Sequence, residues 1–229
     1  MSVGSVSPRQ LALALDHAQS FAREDFLSGP SNEVALTLID RWPDWPGSIL
    51  AIYGPAGCGK THLAHVWQMR SHALFLDVND LAAPSADANM ILEGTIPGGP
   101  AEIEEDLFHL INHVRSRGLS LLLLARDAPA RWRVGLPDLA SRLAGLPSIG
   151  VEAPDDALLG AILKKHFSDR QIRVMPEVIA YLVRRMERSF AAAEQVAAKL
   201  DRIALSRSTP ISVKLAREIF NEDRSHPAL

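Results

Sequence analysis

Residues 54 to 63 read GPAGCGKTHL, with Gly54 followed after four residues by Gly59, Lys60 and Thr61. Those residue types at that spacing are suited to holding phosphate. Glycines let backbone N–H groups turn toward an anion without Cβ clashes. A lysine neutralises β- and γ-phosphates, and a threonine hydroxyl can ligate a Mg²⁺ carried by the nucleotide. The string is a complete Walker A motif. Gly54, Pro55, Gly57, Cys58, Gly59, Lys60, Thr61 and His62 are therefore candidate cofactor-binding residues, with Thr61 also the candidate metal ligand. The expected cofactor is ADP or ATP with Mg²⁺.

Hydrolysis asks for more than the loop. It needs an acidic pair at the tip of a neighbouring strand, one carboxylate for the metal and one to orient water. The candidate is NMILEG (89 to 94), where an apolar run ends in Glu93 and is followed by Gly94. Glu93 is read as a degenerate catalytic carboxylate or, equally, as a solvent-facing strand end. Asp77 ends the run LFLD, but the strand directly after a phosphate-loop helix is often not the metal-binding one. One carboxylate is present and its partner is missing, so the site looks fit to bind and poorly fit to hydrolyse unaided.

The elements that must position these residues can be read from periodicity. SILAIY (48 to 53) is a continuous apolar run that predicts a buried strand feeding the loop, with a helix from about Lys60. HALFLD (72 to 77), NMILEG, LSLLLLA (119 to 125) and SIGVEAP (148 to 154) predict further strands. Residues 100 to 118 predict a helix with Ile103, Leu107, Leu110, Ile111 and Val114 on one face and Gly118 as its stop. An earlier helix within GPSNEVALTLIDRW is expected to be capped by Ser31 or Asn32 and to bury Val34, Leu38 and Trp42. Alternating strand and helix imply a parallel sheet covered on both faces. After Pro154 the pattern is helical throughout. The expected architecture is an α/β domain over 21–153 and an all-helical lid over 154–229, preceded by a flexible tail at 1–20.

Composition narrows the function. Hydrophobic residues make up 47% and charged residues 22%, enough for a sizeable core. The net charge of −3, from 24 basic and 27 acidic residues, argues against sequence-blind DNA binding by the whole surface. Cys58 is the sole cysteine, which excludes a disulfide framework and suits a reducing cytoplasm. Apolar runs are too short to span a bilayer, and MSVGSVSPRQ lacks the apolar core of a signal peptide. His62, His65 and His72 lie near the loop without a cysteine partner and are read as packing residues rather than a metal site. Trp132, between Arg131 and Arg133, is read as either an interface anchor or a cap on the core.

Three stretches besides the loop resemble the DnaA-related AAA+ proteins, most closely the regulatory inactivators of DnaA (Hda type). REDFLSGPSNEVAL (23 to 36) resembles the family's leading segment, which implies that Phe26 and Leu27 cover adenine. VGLPDLASRLAG (134 to 145) is similar to the stretch with the arginine finger, which would fall on Arg142. Residues 185 to 220 resemble the lid. RQLALAL (9 to 15) resembles the clamp-binding motif of such inactivators, with Gln10 at the pocket mouth and Leu11, Leu13 and Leu15 in an apolar groove. Outside that context it reads as an amphipathic lead-in to the first helix, since short Gln/Leu strings are common. The alternative for Arg142 is a surface or intradomain salt-bridge arginine.

The resemblance implies a negative regulator of replication initiation that docks on the sliding clamp (the DNA polymerase III β subunit) and promotes hydrolysis of ATP bound to the initiator DnaA. Arg142 would act in trans, worth about 10³ to 10⁵ in rate. DNA would be met only through the clamp, and a homodimer is compatible. The sequence ends with REIFNEDRSHPAL, and from Pro154 onward it has 13 basic against 10 acidic residues, so an origin-reading helix-turn-helix is not expected. Three positions depart from the pattern: Glu93-Gly94 replaces the acidic pair, Arg126-Asp127 replaces an acid-first sensor step, and the lid's sensor arginine falls near Glu194, with Arg188 close by. All three weaken cleavage in cis. The rival readings are a self-sufficient ATPase such as a helicase loader, and an adaptor that binds clamp and initiator without catalysis.

Overall fold

A computed structural model describes residues 23–78, 81, 87–94 and 101–225, with side chains to residue 221. The tail residues Gln10, Leu11, Leu13 and Leu15 lie outside the described residues. The chain runs α1 (Glu33–Asp40), β1 (Ile49–Tyr53), α2 (Lys60–Ser71), β2 (Leu74–Asp77), β3 (Met90–Glu93), α3 (Ala101–Arg117), β4 (Leu121–Ala125), α4 (Pro137–Ala144) and β5 (Ser148–Gly150). Four helices follow: α5 (Asp156–Asp169), α6 (Pro176–Val183), α7 (Phe190–Arg207) and α8 (Val213–Ser225). Short 3-10 turns at Arg23–Asp25 and Pro129–Arg131 join them. The five strands form one parallel sheet, as the alternating pattern predicts, and its order is β2-β3-β4-β1-β5.

The central strands are apolar on both faces because both are covered. Leu50, Ile52, Leu122 and Leu124 pack toward α1 and α2, while Ile49, Ala51, Leu121 and Leu123 pack toward α3 and α4. Burial of each such side chain stabilises the fold by roughly 1.5–3 kcal/mol. Leucine favours helix, yet β4 is LLLLA. The seven residues between Gly118, whose φ of 65° stops α3, and the loop at Arg126 are too few for a stable helix, and β1 and β3 supply hydrogen bonds on either side. Strand β2 begins two residues later than the apolar run suggests because His72 takes a positive φ of 54° to end α2.

Two sequence expectations are corrected. Helix α1 buries Ala35, Leu36 and Ile39, leaving Val34 54% exposed. The face that meets α2 and the sheet is turned by one position, about 100° on a helix, from the face expected. Asn32 does precede α1, but its side chain ties the preceding turn instead of capping the helix, accepting from Gly29 N (2.9 Å) and donating to the Leu27 carbonyl (3.2 Å). Trp132 resolves as a core cap: it is buried and its indole donates to the Asp127 carbonyl at 3.0 Å.

The helices from α5 onward enclose a core of their own, built on Leu159, Leu163, Phe167, Leu182, Ala197 and Leu200. Ser189 and Asp155 cap α7 and α5, accepting from Ala192 N at 3.1 Å and Leu158 N at 2.7 Å. Among the described residues no helix is long and apolar enough to cross a membrane.

Candidate nucleotide site

The phosphate loop leaves the C-terminal end of β1 and enters α2 at Lys60, so the unpaired N–H groups of the first helical turn open onto the loop. Its glycines are required by what surrounds them. A Cβ on Gly54 would lie 2.1 Å from the Val151 carbonyl oxygen, and one on Gly57, at φ 69°, would lie 2.6 Å from Ser189 Cβ. The second contact comes from the N-cap of α7, and Phe190 N also donates to the Gly57 carbonyl at 2.8 Å. The start of α7 is therefore clasped to the loop.

Lys60 folds over the loop and donates to the carbonyls of Gly54 (2.9 Å) and Pro55 (2.8 Å). Thr61 Oγ1 donates to Glu93 Oε1 at 2.8 Å, although 32 positions separate the two residues in the chain. The pairing of β3 with β4 brings Glu93 to the same end of the sheet as the loop. A hydroxyl and a carboxylate thus meet beside the lysine, which fits a nucleotide-borne Mg²⁺ held through one carboxylate.

These groups line a cavity of about 990 Å³, at the upper end of ligand pockets, which run to roughly 1,000 Å³. Of the sequence-derived candidates, Phe26, Leu27, Gly57, Gly59, Lys60, Thr61, His62 and Glu93 line it. Gly54 and Pro55 line a smaller pocket of about 440 Å³ on the other flank of the loop, and Cys58 is buried beneath it. Burial pushes the Cys58 thiol up, against the nearby Lys60 charge. Phe26 meets His62 edge-on, ring centroids 5.0 Å apart, at the apolar end. Burial lowers the His62 imidazole, with His65 adding to the effect and Asp25 opposing it.

The opposite wall comes from the helical bundle and, apart from Glu194 at the expected sensor position, escaped the sequence reading. Ile162, Lys165, His166, Asp169 and Arg170 of α5 and its end line it, together with Phe190, Ala191 and Glu194 of α7. Lys165 Nζ donates to Asp25 Oδ1 at 2.6 Å and to Asp169 at 3.2 Å, tying α5 to the turn before Phe26. The only signal in the sequence was the charge density of KKHFSDR, which also suits a solvated helix face. Arg188, weighed as a sensor, pairs with Asp156 at 2.7 Å at an exposed position instead of lining the cavity.

Arg142 stands elsewhere, in the last turn of α4, its guanidinium carbon 4.5 Å over the Phe108 ring. The buried Glu104 carboxylate, one helical turn before Phe108 on α3, accepts from Gly135 N (2.8 Å) and Leu136 N (3.0 Å) just ahead of α4. Helix α3 therefore fixes both ends of α4. Arg142 does not line the cavity of its own chain.

No protein-family model matches the chain. It is 26% identical over 231 residues to the chromosomal replication initiator protein DnaA of Thermomicrobium roseum, covering 87% of this chain and 49% of that one. The chain thus spans about half the length of that relative. Domain III of the Thermotoga maritima replication initiation protein DnaA superposes with a TM-score of 0.75 at 17% identity, covering 89% of this chain and 96% of that one. The fold is the DnaA-type AAA+ fold. AMPPCP-bound DnaA from Aquifex aeolicus gives a TM-score of 0.71 at 18% identity, covering 90% of this chain and 70% of that one. In DnaA-type terms, the cavity lies between the AAA+ sheet and the helical bundle.

Proposed function

We propose that this protein is a nucleotide-holding AAA+ regulator of replication initiation. It docks on the sliding clamp through residues 9 to 15 and presents Arg142 to ATP bound by a DnaA-type initiator. The observation that carries the proposal is the placement of Arg142, fixed by α3 yet outside its own cavity. An arginine so placed serves a phosphate on another molecule, where a finger supplied in trans neutralises charge as the γ-phosphate leaves.

The cavity supports a bound ADP or ATP of the chain's own. Backbone N–H groups at Gly57, Gly59 and the start of α2 receive the phosphates, Lys60 leaves its loop carbonyls for them, and Phe26 and Leu27 cover the base. Magnesium supplies charge neutralisation across phosphate oxygens, and Thr61 and Glu93 would hold it. With Gly94 beside Glu93, no second carboxylate at that step orients water. AMPPCP in the DnaA of Aquifex aeolicus supports the ligand class. We also place the α/β unit at 21–153 and the lid at 154–229, a division that the separate bundle core supports. The clamp tail rests on Gln10, Leu11, Leu13 and Leu15 and their spacing alone.

The test is the rate at which initiator-bound ATP is hydrolysed when this protein and DNA-loaded clamp are added. Wild type accelerates it, and Arg142→Ala binds clamp and initiator without acceleration. If wild type binds both and accelerates nothing, the protein is an adaptor and the finger is refuted. The Thr61–Glu93 contact favours a second reading, a self-sufficient ATPase. That reading requires turnover without partners, abolished by Glu93→Gln.

A further inference from the structure

A second fixed cation besides Lys60 lines the nucleotide cavity beside the phosphate loop, Arg126. Arg126 follows β4, the strand between β1 and β3. Register sets Tyr53 beside Ala125 and Glu93 beside Leu124, and Gly54 N donates to the Ala125 carbonyl at 3.1 Å. Arg126 therefore stands abreast of the start of the phosphate loop, one strand spacing of about 4.8 Å away, and one residue past the level of Gly94. It lines both the nucleotide cavity and the smaller pocket across the loop. Among the described residues no hydrogen bond or ion pair engages its guanidinium, and the residue is exposed. Lys60 and Arg126 thus flank the loop beside Glu93, whose Oε1 already accepts from Thr61, while Glu194 lines the cavity from α7 and Asp25 and Asp169 are both paired with Lys165.

The chemistry follows from that placement. Where two carboxylates flank a phosphate loop, they repel bare phosphates, and the divalent cation is part of what binds. Here Gly94 removes one carboxylate and Arg126 adds a permanent charge with a forked donor set suited to phosphate oxygens. We infer that Arg126 takes over much of the metal's charge neutralisation, so that this chain holds ADP or ATP nearly as well without divalent cation as with it. The inference rests on the nucleotide assignment above. Asp127 and Glu152, which line the smaller pocket beside Arg126, are the competing partners for its guanidinium.

Titration with fluorescent methylanthraniloyl-ADP, in Mg²⁺ and in EDTA, tests it. Wild type changes affinity by less than about threefold between the two buffers. Arg126→Ala loses about tenfold in EDTA, the scale of one charge-assisted hydrogen bond, and much less in Mg²⁺. Arg126→Lys recovers part of the loss. Gly94→Asp makes binding metal-dependent; its new Cβ would lie 3.2 Å from Val78 Cβ, so a melting curve accompanies it. A wild-type loss above tenfold in EDTA overturns the inference, as does an Arg126→Ala protein that binds like wild type in EDTA. If wild type binds in neither buffer while Lys60→Ala is equally silent, the nucleotide assignment itself fails.

Discussion

Individual residues around the cavity couple its chemistry to pH. Burial lowers the His166 imidazole, opposed by Glu194, as it lowers His62. Both bases are therefore harder to protonate folded than unfolded. Above the ordinary histidine value of about 6.5 neither state carries the proton, and no stability is at stake. Below it the unfolded chain gains protons that the folded chain refuses, so stability falls as pH drops toward the folded values. The melting temperature should hold between pH 7 and 8 and fall below about 6.5. A His62→Gln/His166→Gln double variant should descend less steeply across that window. An equal slope would mean that carboxylates, not these imidazoles, set the acid limb. Neither role was legible in the sequence, where His62 was a neighbour of the loop and His166 one residue in a polar helix face.

At the scale of elements, α3 does more than cover the sheet. Its apolar face was legible, because Leu107, Leu110, Ile111 and Val114 recur at helical spacing and all are buried. Glu104 was not, because a carboxylate in the first turn of a helix ordinarily faces water and complements the dipole. Here it is 7% exposed and binds the backbone that launches α4. Glu104→Ala would leave the Gly135 and Leu136 N–H groups unpaired, costing about 1–3 kcal/mol in denaturant unfolding. It should also slow trans hydrolysis with Arg142 still in place. Unchanged hydrolysis in a destabilised Glu104→Ala protein would show that α4 needs no such anchor.

Across the whole molecule, the cavity is a joint. The loop touches α7 through Gly57 and Ser189, and the turn before Phe26 is tied to α5 by Asp25 and Lys165, both side chains 29% exposed. A ligand filling that joint binds only the folded chain. At a hundred times its dissociation constant it should stabilise by about 2.7 kcal/mol. For a chain of this size that is a rise in melting temperature of roughly 5–11 °C. Calorimetry with saturating ADP checks it, and Lys60→Ala should remove the shift. A shift that survives Lys60→Ala would place the ligand away from the loop.

What the sequence determined by itself was local. The order of strands and helices, the phosphate loop and the stop at Gly118 follow from hydrophobic period and from backbone freedom within a few residues. The sheet order, the meeting of Thr61 with Glu93, the bundle wall of Lys165 and His166, and the seat of Arg142 on Phe108 were decided only by tertiary packing. Lys165 and Asp25 are 140 residues apart, and no local spacing encodes their contact. It exists because two separately packed cores close on one cavity, and the polar groups left at their seam find one another there.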